Sequence, residues 1–179
     1  LRGVPEQAPR ARRKDFLREN CGEIVGKAIP MRIFADCDAL PRPLKELLLR
    51  VAERESCETF FVAAQAPRLP VSAFVKTIAA GGAFNGADDW IADHAEAGDL
   101  VVTADIPLAD RAIGKGAEVL NLRGEFFTPA NIKNALAMRE LLEELRGGGE
   151  ATGGPPPFSD RQRIVFADAL NRFLQRRKK

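Results

Sequence analysis

Short apolar runs that read as strands alternate along this chain with segments of helical periodicity, and that alternation limits the folds open to it more than any other feature. Met31–Asp36 (MRIFAD) reads as a buried strand. After Pro41 and Pro43, Leu44, Leu47, Leu48 and Val51 fall at helical spacing. Glu58–Ala64 is rich in Phe and Val, as strands are. Pro67 and Pro70 mark a loop, and Phe74–Ala80 reads as an edge strand closed by Gly81-Gly82. Asp88–Ala97 predicts a helix with acids in its first turn and Gly98 at C′. Asp99–Thr103 is the next strand, Pro107–Gly114 a short helix, and Ala117–Leu120 a fifth strand. Thr128-Pro129 supplies a cap and an N1 proline for a helix to Arg146, with Ile132, Leu136, Leu142 and Leu145 along its apolar face. A Gly/Pro-rich connector, 147–158, leads to a last helix opened by Ser159 and carrying Ile164, Val165, Phe166, Leu170, Phe173 and Leu174. The expectation is a three-layer α/β/α fold with a mostly parallel sheet of about five strands.

The chain has 179 residues, which suits one domain body at 31–146 with the last helix, 159–179, packed on it. Hydrophobic residues at 45% and charged residues at 29% exclude a disordered chain. No apolar run approaches the ~20 residues a bilayer span needs, and residues 1–30 hold no apolar signal region, so no membrane partner is expected. Cys21, Cys37 and Cys57 are odd in number and lack CxxC spacing, which fits a reducing cytoplasm better than disulfides or zinc. Residues 1–30 hold seven Lys/Arg against four Asp/Glu, punctuated by Pro5, Pro9 and Pro30. They read as a disordered extension, with a short helix near 15–24 and Met31 as the natural start. Without them the net charge is −1, so any polyanion contact must come from local patches. The basic tail Arg176-Arg177-Lys178-Lys179 reads as a frayed, solvated helix end.

In parallel α/β sheets the functional site lies beyond the carboxyl ends of the strands. Asp36 and Asp38 follow the first strand, Asp105 follows the fourth, and Asp88 begins the helix leading into the fourth. Carboxylates gathered in one crevice repel each other unless a cation or protons neutralise them. Oxygen ligands without His or Cys favour Mg²⁺ or Mn²⁺ over zinc. Each acid has a local alternative: Asp88 and Asp105 as helix caps, Asp38 as the cap of the turn before Pro41. Their coincidence at strand ends favours the metal reading. His94, the single histidine, reads as a solvated mid-helix residue, and Cys37 as a thiol kept unreactive by two flanking aspartates. Neither GxGxxG nor GxxxxGK[ST] is present. Asn121-Leu122-Arg123-Gly124 follows the fifth strand. Arg123 and Asn121 are its candidate substrate-binding residues, against a default of a turn with a surface Arg.

The motifs Asp36-Cys37-Asp38, Ala87-Asp88, the run from Gly98 to Ala109, Asn121-x-Arg123-Gly124 and Thr152-Gly153-Gly154-Pro155 resemble the YaiI/YqxD family of bacterial proteins of unknown function, in order over roughly residues 31–175. The resemblance implies a branch of the PIN-like nuclease fold. It implies that Asp36, Asp88 and Asp105 stand where PIN-like proteins carry acids, and Asp38 where those proteins often have a small polar residue; the expected metal is held by Asp36, Asp88 and Asp105, with Asp38 assisting. The pattern departs at several places: a Glu on an early helix has no counterpart, Asn85 stands where relatives often have Asp, Leu40 replaces a Cys and Leu122 a Pro. The expected activity is Mg²⁺- or Mn²⁺-dependent phosphodiester hydrolysis in single-stranded nucleic acid, RNA favoured. The alternatives are a non-catalytic RNA- or protein-binding module and a hydrolase of a small phosphorylated molecule.

Overall fold

The structure, a computed structural model, describes residues 31–81, 85–147 and 158–178. The expected extension at 1–30, most of the expected connector and the Thr152–Pro155 motif lie outside those residues. The described residues form strands β1 (Ile33–Asp36), β2 (Thr59–Ala63), β3 (Val75–Ala79), β4 (Leu100–Val102), β5 (Glu118–Leu120) and β6 (Phe126–Phe127). Between and after them lie helices α1 (Arg42–Glu55), α2 (Gly86–His94), α3 (Ile106–Gly114), α4 (Ile132–Gly147) and α5 (Asp160–Arg177).

All six strands join one sheet in the order β3-β2-β1-β4-β5-β6. The first five are parallel, and β6 runs antiparallel to β5, with Leu120 opposite Phe126. The sheet therefore has one strand more than the five expected. Strand order reverses between β1 and β4, which makes the carboxyl ends of those two strands the switch point of the sheet. Register sets Ala35 opposite Val102, so the chain leaves β1 at Asp36 beside the residue that follows β4, Thr103.

Alternation along each strand divides the core into two layers. Ile33, Ala35, Phe61, Leu100, Val102 and Leu120 face α1 and α5. Phe34, Val62, Val101 and Val119 face α2, α3 and Ile132 of α4. On this second face Phe34 stacks on Phe60 at 5.0 Å, and Trp90 closes over both rings. At the amino edge of the sheet, buried Asp99 accepts from the backbone N–H of Arg32 (3.1 Å), from its Nε (3.1 Å) and from the backbone N–H of Glu96 (3.0 Å).

Several expected elements are displaced, each for a local reason. Helix α2 starts at Gly86, behind Asn85 in a left-handed conformation, and stops at His94 because Ala95 is extended. Gly98 is thus no helix C′ residue; it turns the chain into β4 at φ +91°. Helix α4 begins at Ile132 rather than at Pro129, because Thr128 and Asn131 first close a turn: Thr128 N–H donates to Asn131 Oδ1 at 2.7 Å. On its expected apolar face only Ile132 is buried; Leu142 and Leu145 are exposed. Helix α5 opens with a capping box between Ser159 and Gln162 and buries Phe166, Leu170, Phe173 and Leu174, while Ile164 and Val165 face outward. Its end is not frayed. Arg176 pairs with Glu118 at 3.5 Å, Lys178 with Glu55 at 2.7 Å, and Arg177 donates to the Gly98 carbonyl.

Candidate active site

Because β1 and β4 are adjacent and parallel, the acids that follow them emerge at one edge of the sheet. Asp36 shares the parity of Phe34, so its side chain points to the face covered by α2 and α3, whereas Cys37 points into the opposite core layer. Asp36, Asp38, Asp88 and Asp105 together line one cavity of about 400 Å³, with Ala39, Ala64, Asn85, Gly86 and Ala87 as the rest of its wall. The four acids read from the sequence are thus brought together.

Thr103 connects the two acids that leave the central strands. Fully buried, its hydroxyl donates to Asp36 Oδ2 at 3.0 Å and accepts from the Asp105 N–H at 2.9 Å. Asp36 Oδ1 also accepts the Asp38 N–H, at 3.3 Å. Asp105 is the N-cap of α3: Oδ1 accepts the Leu108 N–H at 2.7 Å, and Oδ2 meets Arg139 Nη1 of α4 at 3.3 Å. Asp38 Oδ2 accepts the Ala64 N–H at 2.8 Å, which ties the loop after β1 to the end of β2. The side chain of Asp88, in the first turn of α2, makes no hydrogen bond among the described residues; Asn85, not Asp88, occupies the cap position. Neither Thr103 nor Arg139 was read from the sequence as a site residue. Thr103 had one usable signal, a hydroxyl residue closing an apolar run two residues before a strand-end acid.

Electrostatics follow from this crowding. Burial pushes the Asp36 carboxyl above its ordinary value, against the pull of the Thr103 hydroxyl and the Asp38 and Ala39 amides. Burial, then the charges of Asp105 and Asp36, push Asp88 up to about 6. Burial also raises the Cys37 thiol to about 11, with Asp36 and Asp38 adding to it, so this cysteine stays protonated at neutral pH. An acid held above its unfolded value of 3.8 weakens the fold as pH climbs through that window, because ionisation is then easier in the unfolded chain. Asp88→Asn is therefore expected to stabilise the protein above pH 6 by ~1 kcal/mol, discounted for solvent screening of a part-exposed group. The gain should fade towards pH 4. Melting curves from pH 4 to 8 test this, and equal Tm throughout would contradict it.

The other candidates sit elsewhere. Asn121 and Arg123 do not line the cavity. Asn121 Oδ1 accepts the N–H groups of Arg123 (2.8 Å) and Glu125 (3.0 Å), forming the turn that folds β6 back on β5. The Arg123 side chain is exposed. His94 is not solvated mid-helix: it ends α2, stacks on Trp90 at 3.8 Å, and its Nδ1 lies 2.7 Å from the Trp90 carbonyl. Among the described residues, no group of three or more His, Cys, Asp or Glu side chains is arranged to hold a metal ion. Nor is any described helix long and apolar enough to cross a membrane.

Comparison with known proteins places these features in a wider set. The family model described as "Uncharacterized BCR, YaiI/YqxD family" matches residues 34–176. A UPF0178 protein of Shewanella baltica (strain OS223) is 48% identical over 145 residues, covering 81% of this chain and 97% of its own length. UPF0178 proteins of Marinobacter nauticus and Dechloromonas aromatica are each 49% identical, over 82% and 80% of this chain and 97% and 96% of their own. No solved structure matches significantly.

Proposed function

The chain belongs to the uncharacterised YaiI/YqxD family, and from that premise we propose that it is a Mg²⁺- or Mn²⁺-dependent phosphodiesterase acting on single-stranded nucleic acid, with RNA favoured. One observation carries the reading: Asp36, Asp38, Asp88 and Asp105 line a single open cavity at the switch point of a parallel sheet. The PIN-like character implied by the motifs belongs to the same reading.

The donor set fits a hard cation. Every candidate ligand is a carboxylate oxygen, and the charges of Asp105 and Asp36 already oppose ionisation of Asp88. With no three-acid cage among the described residues, the fit is to a hydrated ion held through one or two carboxylates, the usual manner of Mg²⁺. Asp36, Asp88 and Asp105 are the residues that would hold it, one or two of them directly and the rest through its water, and Asp38 would assist. A bound divalent cation supplies charge: it acidifies water and neutralises phosphoryl oxygens.

The protein's own groups set the geometry. Thr103 fixes the Asp36 carboxylate and the Asp105 backbone in one frame. The α3 cap holds Asp105 Oδ1 and leaves Oδ2 facing outward to Arg139.

The test is incubation of purified protein with labelled single-stranded RNA and DNA of mixed sequence, with Mn²⁺, with Mg²⁺ and with chelator. Metal-dependent, chelator-sensitive cleavage of RNA is expected. Salt-dependent RNA binding without turnover would instead support a non-catalytic binding module. Turnover of nucleotides or simple phosphate esters alone would move the substrate to small molecules.

A further inference from the structure

The two edges of the sheet are finished differently. Strand β6 is two residues long, and its outward groups are already bonded: the Asn131 carboxamide accepts the Thr128 N–H at 2.7 Å and donates to the Phe126 carbonyl at 3.1 Å. Strand β3 is five residues long, with an unbroken register on β2 and no proline. The Phe74 carbonyl accepts the Thr59 N–H at 2.7 Å, and the Ala80 N–H donates to the Ala63 carbonyl at 2.9 Å. Alternation therefore turns Lys76 and Ile78 towards β2 as well, and points the N–H and C=O groups of Val75, Thr77 and Ala79 away from the sheet. Among the described residues nothing pairs with them. The connection from β2 to β3, residues 64–74, holds no helix, and the side chains of Thr77 and Ala79 are exposed on their face of the sheet. A long, unblocked edge of this kind is a template for another strand. We propose that the edge of β3 is where a second copy of this chain docks, by antiparallel pairing of β3 with its twin about a two-fold axis at Thr77.

The strand itself selects that occupant. In the register centred on Thr77, Thr77 lies opposite its own twin and Val75 opposite the twin of Ala79, so every outward N–H meets an outward C=O and none is left over. Lys76, the one charge in β3, lies opposite the twin of Ile78, whose apolar surface its methylene stem can cover. Moving the axis to Lys76 would set two ammonium groups directly opposite one another, which antiparallel pairs disfavour. Moving it to Ile78 would leave Val75 with no partner in the twin strand. A foreign extended peptide meets the same backbone groups but has no such symmetry to fix its register. The joined sheets run in opposite directions, so the two acid cavities open at opposite edges of one continuous sheet. The pairing builds no shared site, and its test is separate from that of the metal-dependent reading.

Sedimentation equilibrium of the full chain, over a concentration series reaching ~1 mM, compares wild type, Thr77→Pro and Thr77→Glu. The Thr77 N–H points away from β2, so Thr77→Pro breaks no bond of the sheet within one copy and removes the central donors between copies. Thr77→Glu keeps the backbone and sets two carboxylates face to face at the axis. Wild type is expected to dimerise, and each variant to bind its twin about 10- to 100-fold more weakly, with Thr77→Glu recovering in part at high salt. Amide exchange reads the register. In concentrated wild type, Val75, Thr77 and Ala79 should exchange slowly and speed up on dilution, while Lys76 and Ile78 stay slow at both concentrations. A wild type that stays monomeric throughout overturns the proposal. So does a dimer of unchanged affinity in Thr77→Glu, or one whose Val75, Thr77 and Ala79 amides exchange freely when concentrated. Should Thr77→Pro fail to fold, Thr77→Glu and amide exchange decide by themselves.

Discussion

Asp36→Asn and Asp105→Asn are each expected to lower Mn²⁺-dependent RNA cleavage by on the order of 10²–10³-fold, the scale of several kcal/mol of charge stabilisation at the phosphoryl group. Neither change should unfold the protein. Asp36 already resists ionisation in its buried position, and an amide oxygen there can still accept the Thr103 hydroxyl. Asn caps a helix about as well as Asp, so α3 keeps its start in Asp105→Asn. Single-turnover cleavage of an end-labelled oligonucleotide, beside melting curves of the same preparations, separates chemistry from folding. Full activity in either variant would remove that carboxylate from the mechanism.

The second large effect is structural. Gly124→Ala is expected to cost about 2–5 kcal/mol, combining a left-handed backbone that an L side chain resists with overpacking against a rigid neighbour. Gly124 has φ +83°, and a methyl group there would lie 2.9 Å from backbone atoms of Val165 and Phe166. Those atoms belong to a helix, so they cannot swing aside as a side-chain tip can. Either the turn between β5 and β6 or the seat of α5 must give way. Urea unfolding should show the loss, and hydrogen exchange should place it in 160–177 first. A variant as stable as wild type would mean that α5 is not seated against this turn.

The layered α/β architecture and the four acids were legible because both rest on local signals: apolar runs of strand length, and polar residues where those runs stop. The role of Thr103 was not, because it depends on β1 and β4 lying side by side, a pairing between residues 67 apart. Arg139 left no trace for the same reason, since it reaches Asp105 across 34 residues. Strand β6 has two residues and so no period to detect; it forms because the Asn121 side chain folds the chain back. The apolar spacing in α4 was real, but spacing says only that a helix has a greasy side, not that anything covers it. Met138, Leu141, Leu142 and Leu145 are exposed although they recur at helical intervals. Asn121 and Arg123 make, with Gly124, the turn between β5 and β6, and Gly124 lies against α5.

The seating of α5 sets a timetable for biosynthesis. The interior against which Phe166, Leu170, Phe173 and Leu174 pack is built from β1, β2, β4 and β5, all of which are made before residue 121. At roughly 5–20 residues per second, one side of the nascent sheet waits several seconds for residues 160–177. During that interval α1 alone covers this face, and the part reserved for α5 stays open, a surface that a holding chaperone would recognise and that premature termination would leave exposed.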